Sequence, residues 1–70
     1  MNSFIPLTPR QCEVAALIAA GCANRTIAAQ LAISERTVEN HVARILAKLE
    51  LTSRTQIAVW AVKQLPLSEN

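Results

Sequence analysis

A connection of only three residues between two helical stretches constrains this fold more than any other feature. Residues 24–31 carry apolar side chains at helical spacing, and Asn24 is placed to cap that helix. The tripeptide Leu31-Ala32-Ile33 is too short to hold structure of its own, and Ser34 is placed to cap the next helix. Because helices joined so tightly must cross at a steep angle, the sequence predicts a helix-turn-helix.

The second of these helices, residues 35–49, is strongly amphipathic. At about 100° per residue one side gathers the side chains expected to face the core: Val38, Val42, Ile45, Leu46 and Leu49. The opposite side is polar, and its positive charges share one edge: Arg36, Arg44 and Lys48. This helix therefore offers one face to a core and another to solvent or a partner.

Sequence signals for two further helices lie before and after the helix-turn-helix. Thr8, Pro9 and Gln11 form a capping box with proline at the first helical position, and Gly21 ends that helix. Thr52 or Ser53 opens a last helix, which Pro66 stops. We predict an all-α, four-helix fold with helices at about 8–20, 24–31, 35–49 and 53–65. The predicted domain is single and spans 1–70, with an ordered core at about 7–65 and flexible ends.

Composition and charge narrow the function. The chain has 70 residues, 51% of them apolar, and a net charge of +2, which permits a polyanionic partner without requiring one. It contains neither an apolar run of roughly 18 residues nor a signal peptide, so we expect a cytoplasmic protein without membrane contact. Cys12 and Cys22 do not form a CxxC pair and His41 is the single histidine, so we expect reduced thiols, no metal and no cofactor.

The outer face of helix 35–49 is suited to the major groove of duplex DNA. Ala43 and Ala47 would let the backbone approach the bases, and Asn40 beside them can pair with adenine in bidentate fashion or with another base by a single hydrogen bond. The same residues would also fit a surface helix whose cations are merely solvated. The short turn and the cations at several helix starts favour DNA.

Phosphate contacts are predicted around that patch. The expected contacts are the cations Arg10, Arg25, Arg36, Arg44 and Lys48, together with Asn24, Ser34 and Thr37. For Asn24 and Ser34 we favour helix capping over phosphate contact. Glu39 on the same face repels phosphate, so it accepts from cytosine, pairs with Arg36 or Arg44, or lies off the interface. We favour the pairing role.

Three segments resemble the LuxR-type (GerE-like, NarL/FixJ) helix-turn-helix domain of bacterial transcription factors: LTPRQCEV, GCANRTIAAQLAISERTVENHVARILAKL and SRTQIAVWA. The resemblance covers about residues 7–62. It implies that the third helix lies in the major groove and that the fourth makes dimer contacts. It further implies base contacts from Glu39, Asn40 and Ala43.

This sequence departs from the pattern of the family at several positions. Gln11 replaces a glutamate, Ala32 stands where the turn often has glycine, and Glu50 replaces the glycine after the third helix. We expect the third helix to run on by a residue at Glu50. Glu39 and Ala43 stand where several members carry lysine, so the affinity or the preferred bases should differ from theirs.

The last helix presents apolar side chains in two directions. Ile57, Ala58, Ala61 and Leu65 point one way, and Trp60 lies at the edge of the core. Val59 and Val62 point away from that stripe and would be exposed to solvent in a monomer. We predict a homodimer contact there, although scattered surface valines are also common.

No catalytic constellation is evident, since the carboxylates are scattered and no nucleophile, base and orienting group converge. We predict the DNA-binding output domain of a transcriptional regulator, with double-stranded DNA, a second copy and RNA polymerase as candidate partners. A promoter-reading domain like those of sigma factors and a helical protein-interaction module without DNA affinity are the alternatives.

Overall fold

The computed structural model describes residues 5–65 and contains four helices. They are α1 (Pro9–Ala19), α2 (Asn24–Leu31), α3 (Glu35–Leu49) and α4 (Arg54–Gln64), with no strand in the described span. The all-α prediction is confirmed, and each helix begins and ends within a residue of its expected bound. The predicted flexible ends lie largely in residues 1–4 and 66–70, outside the described residues.

Side-chain caps fix where three of the helices begin. Thr8 and Gln11 form the expected capping box at α1, in which each side chain accepts the other residue's backbone N–H at 3.1 Å. Ser53 and Gln56 form the same box at α4. Ser34 caps α3 by accepting the N–H of Thr37 at 3.0 Å. These caps satisfy backbone donors that have no partner within the helix.

The start of α2 differs from the sequence prediction. Its N-cap is Ala23, which offers no side-chain acceptor, and Asn24 is already the first helical residue. The prediction of Asn24 as a cap was therefore wrong. The physical reason is a stronger partner for its carboxamide, the guanidinium of Arg54, described below.

In the described part of the chain two residues other than glycine adopt the left-handed backbone conformation, one on each side of α3. Ala32 has φ 59° and ψ 43° in the turn after α2, and Glu50 has φ 57° and ψ 43° after α3. In this conformation the N–H of Leu51 bonds the carbonyl of Leu46 at 2.9 Å, which closes the helix end. The expectation that α3 runs on at Glu50 was wrong, because Glu50 takes up the conformation that glycine usually supplies.

Glycine at either left-handed position should stabilise the fold. A side chain at positive φ costs roughly 1–2 kcal/mol, part of which is offset by the greater freedom of glycine in the unfolded chain. We expect Ala32→Gly and Glu50→Gly each to raise the free energy of unfolding by about 1 kcal/mol. Urea denaturation measures the change, with Ala29→Gly inside α2 as a control of opposite sign. A loss of stability in both left-handed variants would contradict the prediction.

The core is built from branched aliphatic side chains of all four helices. Among residues 5–65 five of these side chains are fully buried: Val14 of α1, Ile27 of α2, Val38 and Ile45 of α3, and Ile57 of α4. α1 packs mainly on α4 and α3, whereas α2 packs mainly on α3. Leu65 ends α4 in extended conformation, as expected for a residue before proline. The inner face of α3 is thereby anchored to the rest of the fold.

Candidate nucleic-acid interface

The outer face of α3 is open to solvent as the amphipathic pattern predicts. Val38 and Ile45 are fully buried, and Val42, Leu46 and Leu49 are partly buried against the same core. The exposed residues of the helix include Arg36, Glu39, Asn40, Ala43, Arg44, Ala47 and Lys48. Thr37 and His41 are half-buried at the edge of this face. A rigid inner side thus holds a continuous polar outer side.

Helical geometry orders these exposed residues across the face. Arg36, Asn40, Ala43 and Ala47 fall within an arc of about 60°, which is the centre of the outer side. Arg44 and Lys48 follow on one flank, and Glu39 lies on the other. The patch formed by Asn40, Ala43 and Ala47 is therefore low and carries one carboxamide, with Arg36 at its N-terminal end and Arg44 and Lys48 along one side.

Glu39 makes no ion pair within residues 5–65, so the expected pairing with Arg36 or Arg44 was wrong. Arg44 lies about 140° around the helix from Glu39 and is out of reach. Arg36 is within reach, but an exposed pair adds little stability, so its absence costs the fold almost nothing. In the described part of the chain the ion pair is instead Arg10 with Glu13 at 3.1 Å, and both side chains are about half exposed.

Lys48 at the end of α3 is tied to the start of α1. Its Nζ donates to Oε1 of Gln11 at 3.1 Å, and the same oxygen accepts the backbone N–H of Thr8. Gln11 is 5% exposed, so this contact lies at the α1–α3 junction. Because Gln11 is neutral, the contact fixes the side chain of Lys48 without neutralising its charge.

Gln11→Glu should strengthen this tie and weaken attraction to an anionic partner. A carboxylate would accept the Lys48 ammonium as an ion pair, worth about 0.5–1 kcal/mol because Lys48 is exposed. The matched control is the same substitution in a Lys48→Met background, where the buried position is unchanged and only the ammonium is missing. Denaturation with and without Lys48 measures the difference. Equal effects in the two backgrounds would mean that Lys48 contributes nothing.

Ser34 and Thr37 also form a hydrogen bond between their side chains at the start of α3. Besides the cap, their hydroxyl oxygens lie 2.9 Å apart. One hydroxyl donates to the other, which leaves one hydroxyl hydrogen for an outside acceptor. Capping by Ser34, the role favoured from sequence, is therefore confirmed and leaves a donor at the exposed start of α3.

Arg54 is a polar residue whose part in the fold was not foreseen from sequence. Its Nη1 donates to Oδ1 of Asn24 and its Nη2 donates to the carbonyl of Cys22, both at 2.6 Å. The start of α4 is thereby joined to the start of α2. The signals available were its position directly after the Ser53 cap and its place in the segment SRTQIAVWA, and neither names a partner 30 residues away.

The outward side of α4 carries the apolar residues singled out for dimer contact. Val59 is 49% exposed and Val62 is 63% exposed, whereas Trp60 is half-buried at the core edge. Together with Ala58 and Lys63 the two valines line a shallow groove of about 240 Å³. Within residues 5–65 no helix has the length and apolarity of a membrane span.

Four helices with a tight turn between α2 and an amphipathic α3 define a helix-turn-helix domain. The family model of bacterial regulatory proteins of the luxR family matches residues 5–61. The chain therefore belongs to the luxR family, which confirms the resemblance of its motifs. This is a family of regulatory proteins and not one of enzymes.

Proteins with similar sequences are named as transcriptional regulatory proteins or response regulators. The chain is 52% identical over 62 residues to the uncharacterized transcriptional regulatory protein YhcZ of Bacillus subtilis, covering 89% of this chain and 29% of that protein. It is 49% identical over 57 residues to transcriptional regulatory protein DegU of Brevibacillus brevis, covering 81% and 24%. For the nitrate/nitrite response regulator protein NarL of Escherichia coli K12 the values are 48% over 54 residues, 77% and 25%. The chain thus spans less than a third of each of these relatives.

Proposed function

We propose that this chain binds double-stranded DNA as the output domain of a transcriptional regulator, with α3 in the major groove. The observation that carries the proposal is the exposed face of α3, where Asn40 and small side chains are bordered by cations while Val38 and Ile45 anchor the other side. Major grooves admit a helix whose outer side chains reach base edges. Membership of the luxR family supports this function.

Base reading is assigned to the central patch. The carboxamide of Asn40 offers one donor and one acceptor, as bidentate pairing with adenine requires. Ala43 lets the helix approach and can contact a thymine methyl group. Glu39 on the flank is unpaired among residues 5–65 and is therefore free to accept from a cytosine amino group.

Phosphate contact is assigned to the cations and donors around the patch. Arg25, Arg36 and Arg44 are exposed and form no ion pair within residues 5–65. Lys48 keeps its charge beside Gln11, and the hydroxyls of Ser34 and Thr37 retain one free hydrogen. Arg10 would exchange Glu13 for a phosphate at little cost, because its ion pair is exposed. Asn24 completes the set.

Two copies are proposed to meet through Val59 and Val62 of α4. Burying these exposed valines removes apolar surface from water, and a two-fold arrangement places half-sites about 34 Å apart. RNA polymerase is the further partner we expect of the bound regulator, and the cytoplasm is the expected compartment.

A salt titration tests the proposed function. The logarithm of the association constant for a mixed-sequence duplex should fall linearly with the logarithm of salt concentration, with a slope of about −0.9 for each phosphate contacted. Fluorescence anisotropy at several salt concentrations measures this slope. A protein-interaction module would show no duplex affinity even at low salt, and that result would refute the proposal.

A further inference from the structure

The contact between Arg54 and the start of α2 does more than join two helices. Arg54 is half-buried, and its two hydrogen bonds of 2.6 Å go to neutral acceptors, Asn24 Oδ1 and the carbonyl of Cys22. Both acceptors lie at or just before the first turn of α2. The guanidinium fork therefore fixes a side chain and the backbone of one short segment together.

The chemistry of arginine also fixes which way the Asn24 carboxamide faces. A guanidinium only donates, so the atom turned toward it must be the amide oxygen. Nδ2 of Asn24 makes no hydrogen bond within residues 5–65, and no buried polar side-chain atom of that span lacks a partner. Nδ2 is therefore at least partly accessible to solvent. Arg54 holds the acceptor edge of the amide and leaves its donor edge without a partner within residues 5–65.

The surroundings of Nδ2 suit a phosphate oxygen. The first turn of α2 has no acidic residue, and its N-cap Ala23 has no side chain that accepts its backbone N–H groups. Exposed Arg25 follows directly. Backbone donors at a helix start, a cation and an outward amide donor thus share one turn.

We propose that Arg54 is a positioning residue for DNA binding, which orients Asn24 so that its Nδ2 donates to a backbone phosphate. This inference rests on the proposed function. Arg54 acts through Asn24, because both terminal nitrogens of its guanidinium already donate to acceptors at the start of α2. The proposal thereby specifies which atom of Asn24 would make the phosphate contact predicted from sequence, and which residue orients it.

The test is a double-mutant cycle on affinity for a mixed-sequence duplex. Asn24→Ala retains the bond from Arg54 to Cys22 and should weaken binding about tenfold, as loss of a hydrogen bond to a charged group does. Its salt slope should stay unchanged, because no charge is lost. Arg54→Met should cause a similar loss in the wild type and less than about a twofold loss in the Asn24→Ala background.

Two further variants separate the positioning role of Arg54 from the effect of its charge. Gln64→Glu lowers the net charge by one at an exposed residue at the opposite end of α4, outside the proposed DNA and dimer contacts, and controls for the change in net charge. Arg54→Lys keeps the charge but lacks the two-pronged fork, so it should bind as weakly as Arg54→Met. Recovery of wild-type affinity in Arg54→Lys would overturn the proposal.

Other outcomes also decide it. Additive losses in the cycle, or a salt slope that falls by about one in Arg54→Met, would mean that Arg54 contacts phosphate directly. Should Arg54→Met not fold, the Asn24 side-chain amide signal in the wild type decides: a shift on adding duplex supports the proposal, and its absence overturns it. A wild type that fails to bind duplex refutes the proposed function and this inference with it, whereas normal wild-type binding with an unaffected Asn24→Ala refutes this inference alone.

Discussion

Ile45→Ala is expected to leave the domain largely unfolded at moderate denaturant concentrations where the wild type is native. Ile45 is fully buried on the inner side of α3, so truncation loses its transfer free energy and leaves a cavity. Such changes cost about 2–5 kcal/mol. A 70-residue domain has only about 4–10 kcal/mol of stability to lose, so the fold becomes marginal.

Urea denaturation followed by far-ultraviolet circular dichroism measures this effect. Ile45→Val should cost about 0.5–1.5 kcal/mol, which gives a graded series at one site. Val62→Ala on the 63% exposed valine is the control and should change stability by less than about 0.5 kcal/mol. An Ile45→Ala protein as stable as Val62→Ala would contradict the anchoring of α3 described here.

Asn40→Ala and Arg44→Ala are expected to weaken DNA binding in different ways. Removing Asn40 deletes the proposed bidentate base contact and should flatten preference at one base position by about 1–3 kcal/mol, up to roughly a hundredfold in affinity. Removing Arg44 deletes the proposed phosphate contact and should weaken binding to all sequences alike, with a salt slope reduced by about one.

Selection of bound sequences from a random duplex pool, followed by anisotropy on the selected and scrambled duplexes, measures both effects. Gln30→Ala is a suitable control, since Gln30 is an exposed residue of α2 outside the proposed contacts. A uniform loss over all sequences in Asn40→Ala would show that Asn40 does not read a base.

The helices and most of their ends were predictable because the deciding interactions are local. Two helices begin with a capping box between residues three positions apart, Thr8 with Gln11 and Ser53 with Gln56. Such boxes can be identified from the sequence alone. The spacing of Val38 and Ile45 likewise revealed the inner side of α3.

What sequence reasoning missed depends on residues far apart in the chain. Arg54 reaches Asn24 across 30 positions and takes it out of the capping role that local preference assigned to it. Lys48 reaches Gln11 across 37 positions. Such partners become neighbours only after α1 and α4 have packed, so no local pattern can reveal them. Glu50 was misjudged for another reason, because glycine is the preferred residue at positive φ but not the obligatory one.

These two long-range contacts would matter if residues 24–49 were transferred to another protein. Gln11 of α1 steadies the far end of α3, and Arg54 of α4 steadies the near end of α2, so both supports come from outside the motif. A graft of residues 24–49 onto a foreign scaffold would carry the exposed side chains of α3 but leave both supports behind. A host protein would have to supply an amide and a guanidinium at matching places before the transferred helices could be held as they are here.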